Sequence, residues 1–291
     1  MISCTSAKLD IGNTLSSRHL LLIDDDPGVH AQLLDLLKRD DRMIDESYDG
    51  HDALRQIQNV PYDVIVAGQG RNGFGGLKLL KKLRALCPEA KVIVTGEPDP
   101  ALILGAIRNQ AYSYFHKPLP ENPLAEMVQQ AIDSTSWKND IRVISARPEW
   151  MTLDVRCRME AADRTTHFLR EVSCDLPFQI REDIAVAFRE LLMNAVEHGG
   201  KSDPRKRVRA SVLRTSKSVI VYVHDPGPGF DIHFLPHAAI SNPDDSPTRH
   251  VEIRAEAGQR PGGFGLLMIR SLADELLYNE RGNAVMFVKY L

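Results

Sequence analysis

Two glycine-containing motifs in the second half of the chain could bind a ligand. Asp225 follows the apolar run VIVYVH, and its carboxylate could face a ligand's amino group beside Gly227 and Gly229, where the backbone can approach closely. Gly263 and Gly265 lie in the sequence GGFGL, which opens a helical pattern, and glycines at a helix N-terminus form an anion site. Each motif alone is typical of an ordinary turn or helix start.

A third motif precedes these two on a helix. Glu190, Asn194 and His198 recur at every fourth position, so their side chains share one helix face. A polar stripe of this kind by itself usually faces solvent. The order of the three motifs along one stretch of chain is more specific than any one of them, and it favours a single shared site.

The first half of the chain carries another set of candidate residues, at the ends of apolar strands. Asp24 and Asp25 directly follow the run HLLLI, Thr95 ends the run KVIVT, and Lys117 follows YSYFH. Because these runs are expected to be parallel strands of one sheet, the four side chains should converge at its carboxyl edge. An acid pair there can hold Mg²⁺, and the hydroxyl and ammonium groups can contact a phosphoryl group.

The hydropathy pattern predicts the elements that position these residues. From 19 to 131 short apolar strands alternate with helices, which predicts an α/β domain with a doubly wound parallel sheet. The segment Ser134–Glu149 has weak periodicity and indicates a linker. From Trp150 onward the pattern indicates an α+β domain with a long polar loop between 231 and 261. The domains are expected at 17–134 and 151–291, with the linker at 135–150.

The first domain resembles a response-regulator receiver domain. The resemblance rests on LLLIDDD, YDVIVAGQGRNGFGGLKLL, VIVTG and YSYFHKP. It implies that Asp24 and Asp25 are the metal-binding pair and that Thr95 and Lys117 are the switch residues. It also places Gly68 at the position of the aspartate that accepts phosphate, and glycine has no nucleophile. The chain is therefore expected to carry a pseudo-receiver that aspartyl phosphate does not switch.

An alternative interpretation uses the same glycines. Gly68, Gly70 and Gly73 form the pattern GxGxxG after a strand, which is the outline of a dinucleotide-binding fingerprint. Gly75 and Gly76 follow, so the helix is expected to begin after the motif, whereas in the fingerprint the third glycine lies within the helix. The receiver interpretation also accounts for the acids and the lysine, which the dinucleotide interpretation leaves unexplained.

The second domain resembles the ATP-binding fold shared by gyrase, Hsp90, histidine kinases and MutL, and within it the anti-sigma-factor serine/threonine kinases. The resemblance covers residues 152–291 and implies ATP and Mg²⁺ as cofactors, with a lid between 231 and 261. The roles that it implies are Mg²⁺ coordination by Asn194, recognition of the adenine amino group by Asp225, contact with the base by Gly227 and Gly229, approach to the phosphates by Gly263 and Gly265, and proton acceptance by Glu190, with His198 on the same side.

The two resemblances together predict an ATP-dependent serine/threonine kinase, or a partner-switching regulator of the anti-sigma type, in bacterial signal transduction. The expected partner is a small anti-sigma-factor antagonist with a STAS fold, or a sigma factor that the chain holds directly. Two alternatives stay open: a catalytically silent module whose protein binding depends on ATP and, less favoured, a phosphorelay component. The receiver would act on the kinase by docking or by homodimerisation.

Composition argues against several other classes. The 291 residues carry a formal net charge of −3, and the basic cluster at 201–209 lacks aromatic partners, so neither nucleic acid nor an anionic membrane is an expected partner. The four cysteines are scattered, which favours free thiols in a reducing compartment. No apolar run approaches the ~20 residues of a membrane span. A soluble, cytoplasmic protein is expected.

Overall fold

A parallel five-stranded sheet forms the first domain in the computed structural model, which describes residues 17–70, 76–230, 246, 248–256 and 263–291. The strand order is β2-β1-β3-β4-β5. The strands are Arg18–Ile23 (β1), Arg42–Ser47 (β2), Val64–Gly68 (β3), Lys91–Gly96 (β4) and Ser113–His116 (β5). The helices are Pro27–Leu37 (α1), Gly50–Gln56 (α2), Gly76–Leu86 (α3), Pro100–Arg108 (α4) and Glu121–Asp133 (α5).

The apolar strand runs explain why helices cover both faces of this sheet. In β1, Leu21 and Ile23 belong to one apolar cluster, whereas Leu20 and Leu22 belong to another. Alternate residues of a strand point to opposite faces, so both faces of the sheet are buried. The predicted doubly wound α/β fold is confirmed.

The acidic residues before the helices act as N-caps. The carboxylates of Asp26, Asp49 and Asp99 accept hydrogen bonds from backbone N–H groups in the first turns of α1, α2 and α4. Of the three aspartates after β1, Asp26 therefore serves the helix, which leaves Asp24 and Asp25 for the carboxyl edge of the sheet.

An antiparallel six-stranded sheet forms the second domain, in the order β10-β11-β9-β8-β7-β6. The strands are Ile141–Arg147 (β6), Trp150–Arg156 (β7), Arg207–Arg214 (β8), Ser218–His224 (β9), Glu275–Tyr278 (β10) and Ala284–Tyr290 (β11). The helices are Met159–Val172 (α6), Phe178–Asn194 (α7), Arg249–Glu256 (α8) and Gly265–Leu272 (α9), and a π-helical turn, Ala195–Gly199, continues α7. The predicted α+β class is confirmed.

The structure differs from the sequence-based expectation at two edge strands. The segment 135–150, expected to be a linker, contains β6, which pairs antiparallel with β7. The helix predicted from Phe264 is expected to extend to Leu276, whereas α9 ends at Leu272 and residues 275–278 form β10 against β11. Both strands are only partly buried. β6 lacks an apolar run and β10 has only four residues directly after a helical pattern, so the sequence gives little local signal for either. The expected lid lies mostly outside the described residues, apart from α8 and residues next to it.

The two domains share an apolar core. One cluster of buried side chains contains Ile103 of α4 together with Phe168 of α6. Trp137, between the domains, is buried, and the guanidinium groups of Arg84 and Arg164 lie 4.8 Å and 5.7 Å from its ring centre. The side of the receiver sheet formed by α4 and β5 therefore packs against the second domain.

Among the described residues, no helix is both long enough and apolar enough to cross a bilayer.

Candidate nucleotide-binding site

A cavity of about 650 Å³ lies between α7, the start of α9 and the second sheet. It brings together seven of the eight residues expected to bind nucleotide: Glu190, Asn194, His198, Asp225, Gly229, Gly263 and Gly265. Gly227 is the exception within the described chain, because it does not line the cavity and instead donates its N–H to Asp225 Oδ1 at 2.7 Å. A volume of this size suits a mononucleotide-sized ligand.

The helix that carries the polar stripe changes its winding inside this site. Glu190 and Asn194 lie on regular α-helix, whereas His198 lies in the π-helical turn that follows. The expectation that three residues share one α-helical face therefore holds for the first two only. His198 still lines the cavity, at an exposed position. Single π-helical turns of this kind are frequent at functional sites.

The N-terminus of α9 approaches Glu190 and Asn194 closely, at Gly265. A Cβ atom at position 265 would lie only 2.7 Å from Glu190 Oε2 and 3.8 Å from Asn194 Nδ2. The missing side chain thus allows the first turn of α9 to face the carboxylate and the amide directly. Exposed N–H groups at a helix N-terminus favour anions. Phosphates and a coordinated cation fit this end of the cavity.

Asp225 is held at the end of β9. Its backbone N–H donates to the carbonyl oxygen of Asn283 at 2.9 Å, and its carboxylate accepts the N–H of Gly227. Burial raises the pKa of the Asp225 carboxyl above its usual range, although the bond from Gly227 opposes this shift. A partly desolvated carboxylate at this position can accept a hydrogen bond from an amino group of a ligand.

The sequence-based interpretation missed several residues that line the cavity. Tyr278 of β10 lies with its ring centre 5.9 Å from that of Phe230, and burial raises its pKa to about 12. Its buried hydroxyl has no hydrogen-bond partner among the described residues. Lys201 also lines the cavity and could balance phosphate charge. Tyr278 was missed because it lies between the helix predicted to end at Leu276 and the final predicted strand, in a stretch for which no element was expected.

The receiver pocket is arranged differently. Asp24 is buried, and its Oδ2 pairs with Lys117 Nζ at 2.8 Å, while its Oδ1 accepts the N–H of Asp26 at 3.1 Å. Gly68 ends β3 beside Thr95 of β4, as expected. A Cβ atom at Gly68 would overlap the Asp24 carboxylate. The carboxylate and the ammonium group therefore neutralise each other in the space beside Gly68.

The other predicted residues of this pocket lie around the same edge. The hydroxyl of Thr95 is buried and has no hydrogen-bond partner within the described ranges. A Cβ atom on Gly70 would lie 3.6 Å from Asp25 Oδ2, so Asp25 faces the loop after β3. No group of three metal-ligating side chains occurs among the described residues. A Mg²⁺ site at Asp24 and Asp25 remains a prediction.

The glycines of the alternative dinucleotide fingerprint are only partly described. Gly68 and Gly70 are described, whereas Gly73 and Gly75 lie outside the described residues. Helix α3 begins at Gly76, after the GxGxxG motif.

Two family models match the chain, one to each domain. Residues 20–129 match the response regulator receiver domain, and residues 155–289 match the histidine kinase-like ATPase domain. The matched ranges agree with the parallel sheet and the antiparallel sheet described above.

Curated relatives point to the same two classes. The chain is 32% identical to the C4-dicarboxylate transport transcriptional regulatory protein DctD of Pseudomonas aeruginosa over 39% of this chain and 25% of that protein. It is 27% identical to the transcriptional regulatory protein ZraR of Salmonella typhimurium over 40% of this chain and 26% of that protein. It is 25% identical to the serine-protein kinase RsbW of Oceanobacillus iheyensis over 38% of this chain and 65% of that protein. The chain spans about a quarter of the length of the first relatives it matches.

Solved structures of receiver domains are also similar. The signal receiver domain of an HD domain-containing protein from Pseudomonas fluorescens Pf-5 shows 24% identity and a TM-score of 0.40, covering 43% of this chain and 93% of that chain. A response regulator from Thermotoga maritima shows 21% identity and a TM-score of 0.37, covering 40% of this chain and 99% of that chain.

Proposed function

From a chain that joins a response regulator receiver domain to a histidine kinase-like ATPase domain, we propose a protein kinase that transfers the γ-phosphate of ATP to a serine or threonine of a small protein partner. The observation that carries the proposal is the close approach of Gly265 at the start of α9 to Glu190 and Asn194. A helix N-terminus, a carboxylate and an amide face one another there, as phosphoryl transfer from a metal-bound nucleotide requires.

Each residue of the cavity has a role in this proposal. Asp225 accepts a hydrogen bond from the adenine amino group, and Asn194 helps to hold Mg²⁺ on the phosphates. Glu190 accepts the proton of the substrate hydroxyl, and the ammonium group of Lys201 balances phosphate charge. Most of the rate enhancement would come from positioning and charge neutralisation, with a smaller share from the base.

The proposed partner is an anti-sigma-factor antagonist with a STAS fold, or a sigma factor that the chain holds directly. Similarity to a serine-protein kinase supports a serine or threonine acceptor on that partner. A histidine autokinase would instead need an accessible histidine of its own, and His167 of α6, in the sequence THFLRE, does not provide one. That side chain is buried and its Nε2 lies 2.7 Å from the backbone carbonyl oxygen of Tyr114.

The proposed receiver does not accept phosphate. Support comes from Gly68, which has no nucleophile at the end of β3, and from the adjacent Asp24 carboxylate, which pairs with Lys117. Acetyl phosphate or beryllofluoride with Mg²⁺ should therefore leave the spectrum of the first domain unchanged. A saturable change would contradict this part of the proposal and indicate an acceptor other than position 68.

A labelling experiment tests the kinase function. The full chain is incubated with γ-labelled ATP, Mg²⁺ and an extract of its source cells, and a label that survives acid is expected on a small protein. ATP binding without label, but with partner affinity that depends on nucleotide, would replace the kinase by an ATP-gated binding module. An acid-labile label on this chain itself would indicate a phosphorelay component.

A further inference from the structure

Helix α6 of the ATPase domain lies along the edge of the receiver sheet. The contact face of α6, defined as Arg164, His167 and Glu171, presents three polar side chains with spacings of three and four residues. Such spacings place them on one side of the helix. All three are buried, with exposed fractions of 3%, 8% and 4%. Buried polar groups at a domain boundary require specific partners, and residues 112–116 provide most of them, while Asp140 faces the guanidinium of Arg164 at 3.5 Å.

Arg164 and His167, the first two residues of the contact face, contact backbone carbonyl groups at alternate positions along the edge of the receiver sheet. Arg164 Nε donates to the carbonyl oxygen of Tyr112 at 2.9 Å, and His167 Nε2 lies 2.7 Å from that of Tyr114. The guanidinium of Arg164 also lies 4.1 Å from the ring centre of Tyr112, and His167 contacts the ring of Phe115 at 4.3 Å. Helix α6 therefore covers β5, which is an edge strand of the receiver sheet.

The third residue reaches the end of β5, next to the receiver pocket. Glu171 Oε2 accepts the backbone N–H of His116 at 2.9 Å and contacts His116 Nδ1 at 2.7 Å. The next residue, Lys117, forms the ion pair with Asp24 in the pocket. One peptide bond thus separates the residue that contacts α6 from the residue that completes the receiver pocket.

A neighbouring position of α6 contacts the helix that lines the nucleotide cavity. Asp163, which precedes the first residue of the contact face, accepts a hydrogen bond from Arg189 Nε of α7 at 2.9 Å and forms an ion pair with Nη2 at the same distance. Arg189 lines the cavity, and its Nη1 lies 3.8 Å from Oε1 of Glu190. Contacts therefore run from the receiver pocket through β5 and α6 to the proposed catalytic carboxylate.

From these contacts we infer that α6 is the positioning element through which the receiver domain sets the ATP site. The contact face fixes α6 on β5, and α6 then fixes α7 through Asp163 and Arg189. Arg164, His167 and Glu171 are positioning residues in this scheme, because none of them lines the cavity within the described chain. The link to ATP affinity rests on the proposed function, whereas the link between β5 and α7 does not.

Amide hydrogen exchange of the full chain, combined with ATP titration, tests the inference. Arg164→Met and Glu171→Ala should speed exchange at 112–116 and also at 190–199, and should weaken ATP binding about tenfold, within the usual range for coupled sites. Glu171→Gln keeps an acceptor for the N–H of His116 and should retain most of the affinity. Thr166→Val is the matched control, because among the described residues the Thr166 hydroxyl donates to the carbonyl of Ala162, within α6 itself.

The outcomes separate the inference from the proposed function. Faster exchange at 112–116, with unchanged exchange at 190–199 and unchanged ATP affinity, would overturn the inference, because α6 would then only cover the sheet edge. If the native chain bound no ATP, the proposed function would fail, and exchange at 190–199 would still decide the coupling. If Arg164→Met or Glu171→Ala did not fold, His116→Asn on the receiver side would replace it, with the same two expected changes.

Discussion

In the receiver domain the carboxylate of Asp24 lies against Gly68 and pairs with Lys117, whereas in the ATPase domain the carboxylate of Glu190 lies against Gly265 and lines a cavity. Both sites thus combine a carboxylate with a glycine that allows close approach. They differ in what the carboxylate meets: the partly exposed ammonium group of Lys117 in the first and, among the described residues, the more distant guanidinium of Arg189, at 3.8 Å, in the second.

The same residue types can thus either neutralise each other or leave a carboxylate accessible to a ligand. A buried carboxylate that is matched by a lysine has little charge left for a ligand, and loss of the lysine would leave an uncompensated buried charge. A partly exposed carboxylate that lines a cavity can instead interact with a metal ion or accept the proton of a hydroxyl group. The pocket of the receiver domain is therefore expected to contribute to stability, and the cavity of the ATPase domain to chemistry.

The largest expected effect separates chemistry from binding in the cavity. Glu190→Ala should lower the rate of phosphate transfer by about 10² to 10⁴, the range for loss of a general base, while ATP still binds. The rate is measured with γ-labelled ATP, and binding by calorimetry. Glu126→Ala, at an exposed site on α5 of the receiver, is the control. A transfer rate equal to that of the control would remove Glu190 from its proposed role.

Substitutions in the receiver pocket should instead change the free energy of unfolding. Lys117→Met leaves the Asp24 carboxylate, 1% exposed, without its cation, and should lower the free energy of unfolding by about 3 kcal/mol. Adding Asp24→Asn to this variant should recover part of the loss, because no buried charge then remains. Urea denaturation measures both. The exposed Lys78→Met on α3 serves as the reference, and an equal loss in the two lysine variants would show that the buried pair contributes nothing.

A smaller effect concerns the pH dependence of ATP binding. Burial raises the pKa of the Asp225 carboxyl, and only the ionised form is a full acceptor for the adenine amino group. Affinity should be constant above that raised pKa and should fall as the pH is lowered through it. Asp225→Asn should bind ATP about tenfold more weakly at neutral pH and lose this pH dependence. A native chain whose affinity is flat down to the ordinary aspartate range would contradict the assignment.

The smallest expected effect concerns His116, which lies between the receiver pocket and the nucleotide cavity. A hydrogen bond to Glu171 raises the pKa of His116, so its contribution to stability is complete below the unfolded pKa and is lost as pH rises through the raised folded value. The loss should stay below about 1 kcal/mol, because His116 is partly exposed. Arg181 opposes the shift in His116. Burial lowers the pKa of His167, so the folded chain keeps this side chain neutral. The free energy of unfolding therefore decreases as the pH falls below the unfolded histidine pKa.

Unfolding free energies of the native chain and Glu171→Gln, measured across this range, check the effect of His116. The difference between the two should shrink as pH rises above the unfolded histidine value. Glu171 also opposes the lowering of the His167 pKa, so at lower pH the measured difference includes a contribution from His167. A difference that stays constant with pH would show that Glu171 does not raise the pKa of His116.

Local patterns predicted most of the individual elements. The alternation of apolar runs and helices gave the parallel sheet, and the aspartates before α1, α2 and α4 are caps that a sequence pattern can indicate. The strands β6 and β10 were missed, because β6 carries no apolar run and β10 is four residues long and directly follows a helical pattern. Tyr278 was missed with β10, although it lines the cavity.

The sequence by itself determined which residues could act together, since motif order and helical spacing identified seven residues that line one cavity. Only the tertiary structure decided that the Asp24 carboxylate fills the space beside Gly68 and pairs with Lys117 across 93 positions of chain. It likewise decided that the contact face of α6 covers β5, about 50 residues earlier in the chain. The reason is physical: periodicity and capping act over a few residues, whereas these contacts depend on how separate elements pack.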